Sequence, residues 1–206
     1  YYQTKITGLD MSNSNKLFDK IHKYRRTFLF LYDPRSSSKR VKSLKKMGVV
    51  IGENVTIRHG TIFDMSRPFL IEIGNNVRIA PNCHFFTHDA SMNYHLNKTL
   101  IGKIRILDNS FIGAKSLVLP NVTIGPNSII GAGSVVTKSI PEQTVFAGNP
   151  AKFICSLDDF LHKHKSFSKN HPHYSYYKFH GDWISEANKT KMARELDSTF
   201  GYSTRT

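Results

Sequence analysis

The chain has 206 residues, 39% of them hydrophobic and 21% charged, with two cysteines, Cys83 and Cys155. This is the composition of a globular chain long enough for one real core, and it excludes a disulfide framework or a four-thiolate metal site. The longest apolar run, Phe28 to Tyr32, falls far short of the about 20 residues a bilayer span needs. No signal sequence precedes that run, and an initial Tyr suggests a trimmed chain, so the expected setting is soluble, reducing and cytoplasmic.

The net charge is +14, and residues 1–48 alone carry twelve Lys or Arg against three acids. From Asp10 to Met47, Leu, Ile and Phe recur at helical spacing among these cations, with a break at Pro34-Arg-Ser-Ser-Ser. Two helices are expected there, forming a basic N-terminal cap. Such an arm suits an anionic polymer or the inner face of a membrane. It lacks the interleaved aromatics and cations of a base-stacking platform, so no nucleic acid is expected.

A short internal period organises the chain from Ile51 onward. Apolar residues stand six apart at Ile51, Ile57 and Phe63, then after a slip at Ile73, Ile79 and Phe85. After a longer interruption they continue at Ile106, Ile112, Val118, Ile124, Ile130 and Val136. At a 39% apolar frequency, twelve such matches in one chosen register have a chance of ~10⁻⁵, so the period is real. Six residues fit a short strand plus a turn, and three such sides make an 18-residue triangular coil that stacks Gly113 on Gly131. Gly, Asn and Pro at the corners suit tight, partly left-handed backbone, and small residues at the fifth position fit a narrow interior. Residues 49–154 therefore read as an all-β parallel solenoid, interrupted by a protruding loop at 89–103.

The Ile/Val-Gly-x-x-small-x pattern over 51–141 resembles the hexapeptide-repeat acyltransferases, which are left-handed parallel β-helices. The run Ile130-Gly-Ala-Gly-Ser-Val-Val-Thr-Lys-Ser-Ile-Pro141, followed by Ala147-Gly-Asn-Pro-Ala-Lys152, is similar to the last coil of one branch. That branch holds the maltose, galactoside and xenobiotic acetyltransferases, with surface-polysaccharide O-acetyltransferases among them. The resemblance covers about half the chain. It implies acetyl-CoA as cosubstrate, a carbohydrate acceptor such as a capsule or O-antigen sugar or its precursor, no metal, and a homotrimer with active sites between subunits.

The repeat breaks at Phe85-Phe-Thr-His-Asp-Ala-Ser91, and a loop ejected from a solenoid is a natural place for a binding site. His88 stands at its base. In the resembling enzymes a histidine at this place removes the proton of the acceptor hydroxyl, a task suited to imidazole. Asp64 and Asp89 are candidates to orient the ring or to bind acceptor hydroxyls, with Asp64 favoured for the acceptor. Ser66, Asn93, Tyr94 and His95 are further acceptor-side candidates.

For the cofactor, the resemblance implies that Phe111, Gly113, Ala114, Gly131 and Ala132 line a pantetheine groove. It also implies that Thr137, Lys138 and Lys152 lie toward the nucleotide phosphates, where a lysine acts as a point charge. Two departures stand out: Phe111 replaces a Trp common in the family, and Cys155 replaces an Arg. Residues 155–206 form a helical and irregular tail with five histidines (162, 164, 171, 173 and 180), an aromatic cluster from Tyr174, and an expected helix near Ile184–Leu196. Competing readings are transfer to an amino-sugar nitrogen or an antibiotic, a zinc hydrolyase using His59, His84 and His88, and a non-catalytic sugar-binding or scaffolding solenoid.

Overall fold

Each hexad closes one side of a triangle. In the computed structural model, which describes residues 37–179 and 184–204, the strands are two or three residues long through the repeats and line up on three faces. The first face stacks Val50–Ile51, Ile71–Ile73, Ile104–Ile106 and Val122–Ile124. The second stacks Thr56–Ile57, Arg78–Ile79, Phe111–Ile112, Ile129–Ile130 and Thr144–Ala147, with Lys152–Ser156 at its edge. The third stacks Ile62–Phe63, His84–Phe85, Leu117–Val118 and Val135–Val136. Pairing within the repeats is parallel, and Ile112 meets Ile130, one 18-residue coil on. These stacked faces form a three-sided parallel β-helix.

All twelve hexad residues point inward, none more than 7% exposed. The small fifth-position residues fill the space between them. Ser110, Ser116, Ser128 and Ser134 are buried, and each hydroxyl donates to a backbone carbonyl of its own or the next coil, such as Ser128 to Pro141 O at 2.7 Å. A polar atom that finds its acceptor inside costs little, so serine serves the column as well as valine does.

The corners explain the asparagines. Asn54, Asn76, Asn109 and Asn127 all adopt left-handed backbone, which Asn tolerates better than other residues with a side chain. Their amides form a ladder along one edge at 3.2, 3.0 and 3.1 Å. The successive steps of 22, 33 and 18 residues mark the slip, the ejected loop and the plain coil. Glycine serves another corner for a different reason: at Gly125 an added Cβ would lie 2.5 Å from Glu142 N and 2.7 Å from Pro141 C. Gly125→Ala is therefore expected to destabilise the solenoid by about 1–3 kcal/mol, read as a lower thermal midpoint with unchanged circular dichroism at low temperature.

At the open end of the first coil, helix Ser37–Lys46 buries Arg40 and Leu44. Arg40 Nη1 donates to Ile57 O at 2.7 Å, and Ser37 Oγ accepts from Ile57 N at 2.9 Å, so side chains satisfy an otherwise unpaired strand edge. Gly48, at φ +103°, turns the chain out of the helix into the first strand. The other expected cap helix, most of the basic arm and His180 lie outside the described residues.

A second compact unit begins at Cys155. Its helix Leu157–Ser168 was not anticipated, although Ser156 followed by two acids is an N-terminal signal; Ser156 Oγ accepts from Asp159 N at 3.0 Å. The expected later helix runs Glu186–Glu195, with Ser185 as its cap. His164, His171 and His173 pack with Phe167, Phe200 and Tyr202, and the buried Tyr174 donates to Glu195 Oε2 at 3.1 Å. No helix among the described residues is long and apolar enough to cross a membrane.

Candidate active site

The site begins where the third face ends. Phe63 and Phe85 point inward and stack at 4.9 Å between ring centroids, so the residues that follow each, Asp64 and Phe86, leave the same corner. There the second coil ejects its loop. His88–Asp89 pairs antiparallel with Leu100–Ile101, and Gly102 N–H donates to Thr87 O at 2.9 Å, closing the loop neck. The neck holds His88 on the solenoid wall while the loop projects beyond it.

Asp64 and His88 meet at this corner. Asp64 Oδ2 lies 2.5 Å from His88 Nδ1, with the carboxylate side chain 4% exposed and the imidazole 36%. Thr87 donates to the same oxygen from its backbone N–H at 3.1 Å and its hydroxyl at 2.6 Å. Ser66 donates to Oδ1 from its N–H at 3.0 Å and its hydroxyl at 2.6 Å. Burial alone would raise the Asp64 carboxyl, but the hydrogen bonds from Ser66, Thr87 and His88 outweigh it. They hold the group well below the usual carboxylate range. An ionised carboxylate only accepts, so the His88 ring donates to it from Nδ1 and Nε2 is the nitrogen left to face away from Asp64.

The other acceptor-side candidates are placed differently. Asp64, the residue favoured for acceptor contact, has both oxygens engaged, Oδ1 by Ser66 and Oδ2 by Thr87 and His88. Ser66 Oγ lies 3.5 Å from His88 Nδ1, within the site. Asp89 turns back to accept from Ser91 N–H at 2.8 Å, and hydrogen bonds from Ser91 lower its carboxyl. Asn93 sits in the loop helix Asn93–Leu96, its amide 3.4 Å from Thr99 Oγ1. Tyr94 is 94% exposed and touches His95 edge-on, well out on the loop.

Most of the cofactor-side candidates fall at or beside two corners, and Lys152 opens the edge strand Lys152–Ser156. Gly113 and Gly131 stack where the second face turns into the third: Gly113 N donates to Ile130 O at 2.8 Å, and a Cβ on Gly131 would lie 2.7 Å from that of Ala147. The N–H groups of Phe111 and Gly113 are bound in the coil ladder, whereas among the described residues nothing accepts from the N–H of Ala114 or Ala132. Thr137 and Lys138 follow the third face instead, on the His88 side and two coils on, about 10 Å along the axis. Phe111, Ala132, Thr137, Lys138 and Lys152 are exposed. Within one chain the third face thus separates His88 from the glycine corner.

Sequence reasoning missed Thr87 and Arg67. Thr87 has a visible signal, a polar residue directly before the histidine; it is fully buried and fixes the carboxylate. Arg67 donates from Nη1 to Ser66 Oγ at 3.3 Å. Among the described residues no three His, Cys, Asp or Glu side chains converge as a metal site would require.

The bacterial transferase hexapeptide family (six repeats) matches residues 103–138. A Staphylococcus aureus (strain Mu50) protein whose name marks it as an inferred acetyltransferase is 43% identical, over 62% of this chain and 75% of its own. Escherichia coli (strain K12) galactoside O-acetyltransferase is 33% identical, over 61% of this chain and 72% of its own. The chain belongs to the hexapeptide-repeat acetyltransferases. Among solved acetyltransferases of this kind, a maltose O-acetyltransferase from Clostridium difficile 630 aligns at a TM-score of 0.46. It is 27% identical and the alignment covers 68% of this chain and 88% of that one.

Proposed function

We propose that this hexapeptide-repeat acetyltransferase moves acetyl from acetyl-CoA to a sugar hydroxyl, with His88 as general base and Asp64 as its positioning partner. The observation that carries the reading is the Asp64–His88 pair, fixed by Thr87 and Ser66 at the neck of the ejected loop. Nε2 takes the hydroxyl proton as the oxygen attacks the thioester carbonyl. The tetrahedral oxyanion then collapses, the carbon–sulfur bond breaks, and the imidazolium returns its proton to the CoA thiolate. The unengaged amide of Ala114, close to Phe111, is the donor best suited to the oxyanion.

The separation of His88 from the glycine corner supports a homotrimer, in which one copy's His88 corner faces the glycine corner of the next. Lys138 and Lys152 then serve the nucleotide phosphates, and the coil takes the left-handed sense of its family. A surface polysaccharide or its precursor is the acceptor, with transfer on the cytoplasmic side of the membrane.

The test is acceptor-dependent thiol release from acetyl-CoA across a panel of surface saccharides, with the product analysed by mass. An acetyl group removed from the saccharide by mild hydroxylamine is the expected result. A hydroxylamine-stable acetyl marks an amide and overturns O-transfer, and no release with any acceptor favours a binding or scaffolding solenoid.

A further inference from the structure

The rim around His88 carries one cation to which acetyl transfer gives no task. Arg67 stands directly before the short 3₁₀ turn Pro68–Leu70, and its carbonyl accepts from Leu70 N–H at 3.0 Å, which fixes its backbone. Its guanidinium donates to Ser66 Oγ at 3.3 Å, and that oxygen in turn lies 3.5 Å from His88 Nδ1. The residue is half-buried, and among the described residues no carboxylate lies within ion-pair distance of it.

The cations on the neighbouring face behave otherwise: Lys103 and Arg105 share Glu72 at 2.6 and 3.0 Å. Asp64 and Asp89, the carboxylates of the site, are already engaged, Asp64 with the imidazole and Asp89 with Ser91 N–H. A guanidinium offers five N–H donors in a planar fork, and the single bond to Ser66 leaves most of that fork unused. A lone cation beside a general base also opposes formation of the imidazolium during transfer. An anion bound across the fork removes that opposition.

We infer that Arg67 binds a carboxylate of the acceptor, so that the acetylated sugar is itself acidic or is joined to an acidic sugar. This rests on acetyl transfer at His88. Arg is the side chain whose geometry suits two-point recognition of a carboxylate, and the Ser66 hydroxyl links its guanidinium to the imidazole through contacts of 3.3 and 3.5 Å. The chain's net charge of +14 favours the same class of acceptor at longer range, by drawing a polyanionic saccharide toward the protein.

The test supplies the full chain and acetyl-CoA with oligosaccharides built on uronic or sialic acids, each beside its carboxyl-reduced neutral form. Wild type is expected to favour the acidic member in kcat/KM by about 10- to 100-fold, as charge-assisted hydrogen bonds would give. Arg67→Gln is expected to collapse that preference, mainly through a higher KM for the acidic acceptor. Arg67→Lys keeps part of it, and KM for acetyl-CoA stays the same in all three. Equal use of both members by wild type, or an equal loss on both in Arg67→Gln, overturns the inference while His88-dependent transfer stands. Transfer to neither member, or transfer untouched by His88→Ala, overturns the acetyl-transfer reading and this inference with it.

Discussion

His88→Ala is expected to lower acceptor-dependent thiol release from acetyl-CoA by about 10²- to 10⁴-fold, the worth of a positioned general base. The loss belongs in kcat, because the imidazole acts on the hydroxyl proton and not on the nucleotide, and acetyl-CoA binding should be retained. The fold should also survive. His88 is 36% exposed at a loop neck closed by Gly102 N–H and Thr87 O, neither of which needs the ring. A variant that releases thiol at the wild-type rate would remove His88 from the chemistry.

Asp64→Asn tests the second half of the pair, and it acts on both stability and activity. One carboxylate oxygen accepts from Thr87 N–H and the other from Ser66 N–H. Whichever way an Asn amide turns, its NH₂ therefore faces a backbone donor, and one buried bond is lost at about 1–3 kcal/mol. The negative charge that stabilises the imidazolium disappears as well, so kcat is expected to fall about 10²-fold with the fold retained. Asp64→Ala should be worse on both counts.

The pH dependence of stability follows from the direction of the Asp64 shift. The folded state holds this carboxyl below its ordinary value, so the unfolded chain takes up its proton first as the solution is acidified. Its stabilisation is complete above about pH 4, the ordinary aspartate range, and is lost as pH falls below that. In acid denaturation followed by circular dichroism, Asp64→Asn should lose stability less steeply than wild type across that window. Parallel curves would mean that Asp64 is not held as an ion in the native state.

Much of the architecture was legible because the solenoid repeats its instructions. Every one of the twelve hexad positions is buried, and the asparagine corners have the left-handed backbone their residue type suggested. The 18-residue coil places Ile112 beside Ile130, as the period required. Helix Leu157–Ser168 is written in the sequence too, with the Ser156 cap followed by Leu157, Phe160 and Leu161 at helical spacing, but its many histidines and lysines interrupt the apolar face after Leu161.

The site was legible in a different measure. His88 could be singled out because it interrupts a repeat, but a period says nothing about which side chains converge where it breaks. Asp64 lies 24 residues from His88, and only the stacking of one coil on the next brings Oδ2 to the imidazole. The bonds from Thr87 and Ser66 that occupy both its oxygens are equally invisible to the period. Arg67 had no sequence signal at all: its meaning comes from the turn that sets it beside Ser66 and from the lack of a carboxylate within reach among the described residues.

The most direct test of direct, His88-assisted transfer to a hydroxyl is a single turnover with enzyme, acetyl-CoA labelled in the acetyl group and an active acceptor, quenched at intervals and analysed by mass. Direct transfer requires one acetyl ester on the saccharide for each CoA thiol released, with the protein mass unchanged at every time point. An acetylated protein that forms first and then decays as the ester appears would contradict it, and would move the chemistry from a general base to a nucleophile on the enzyme.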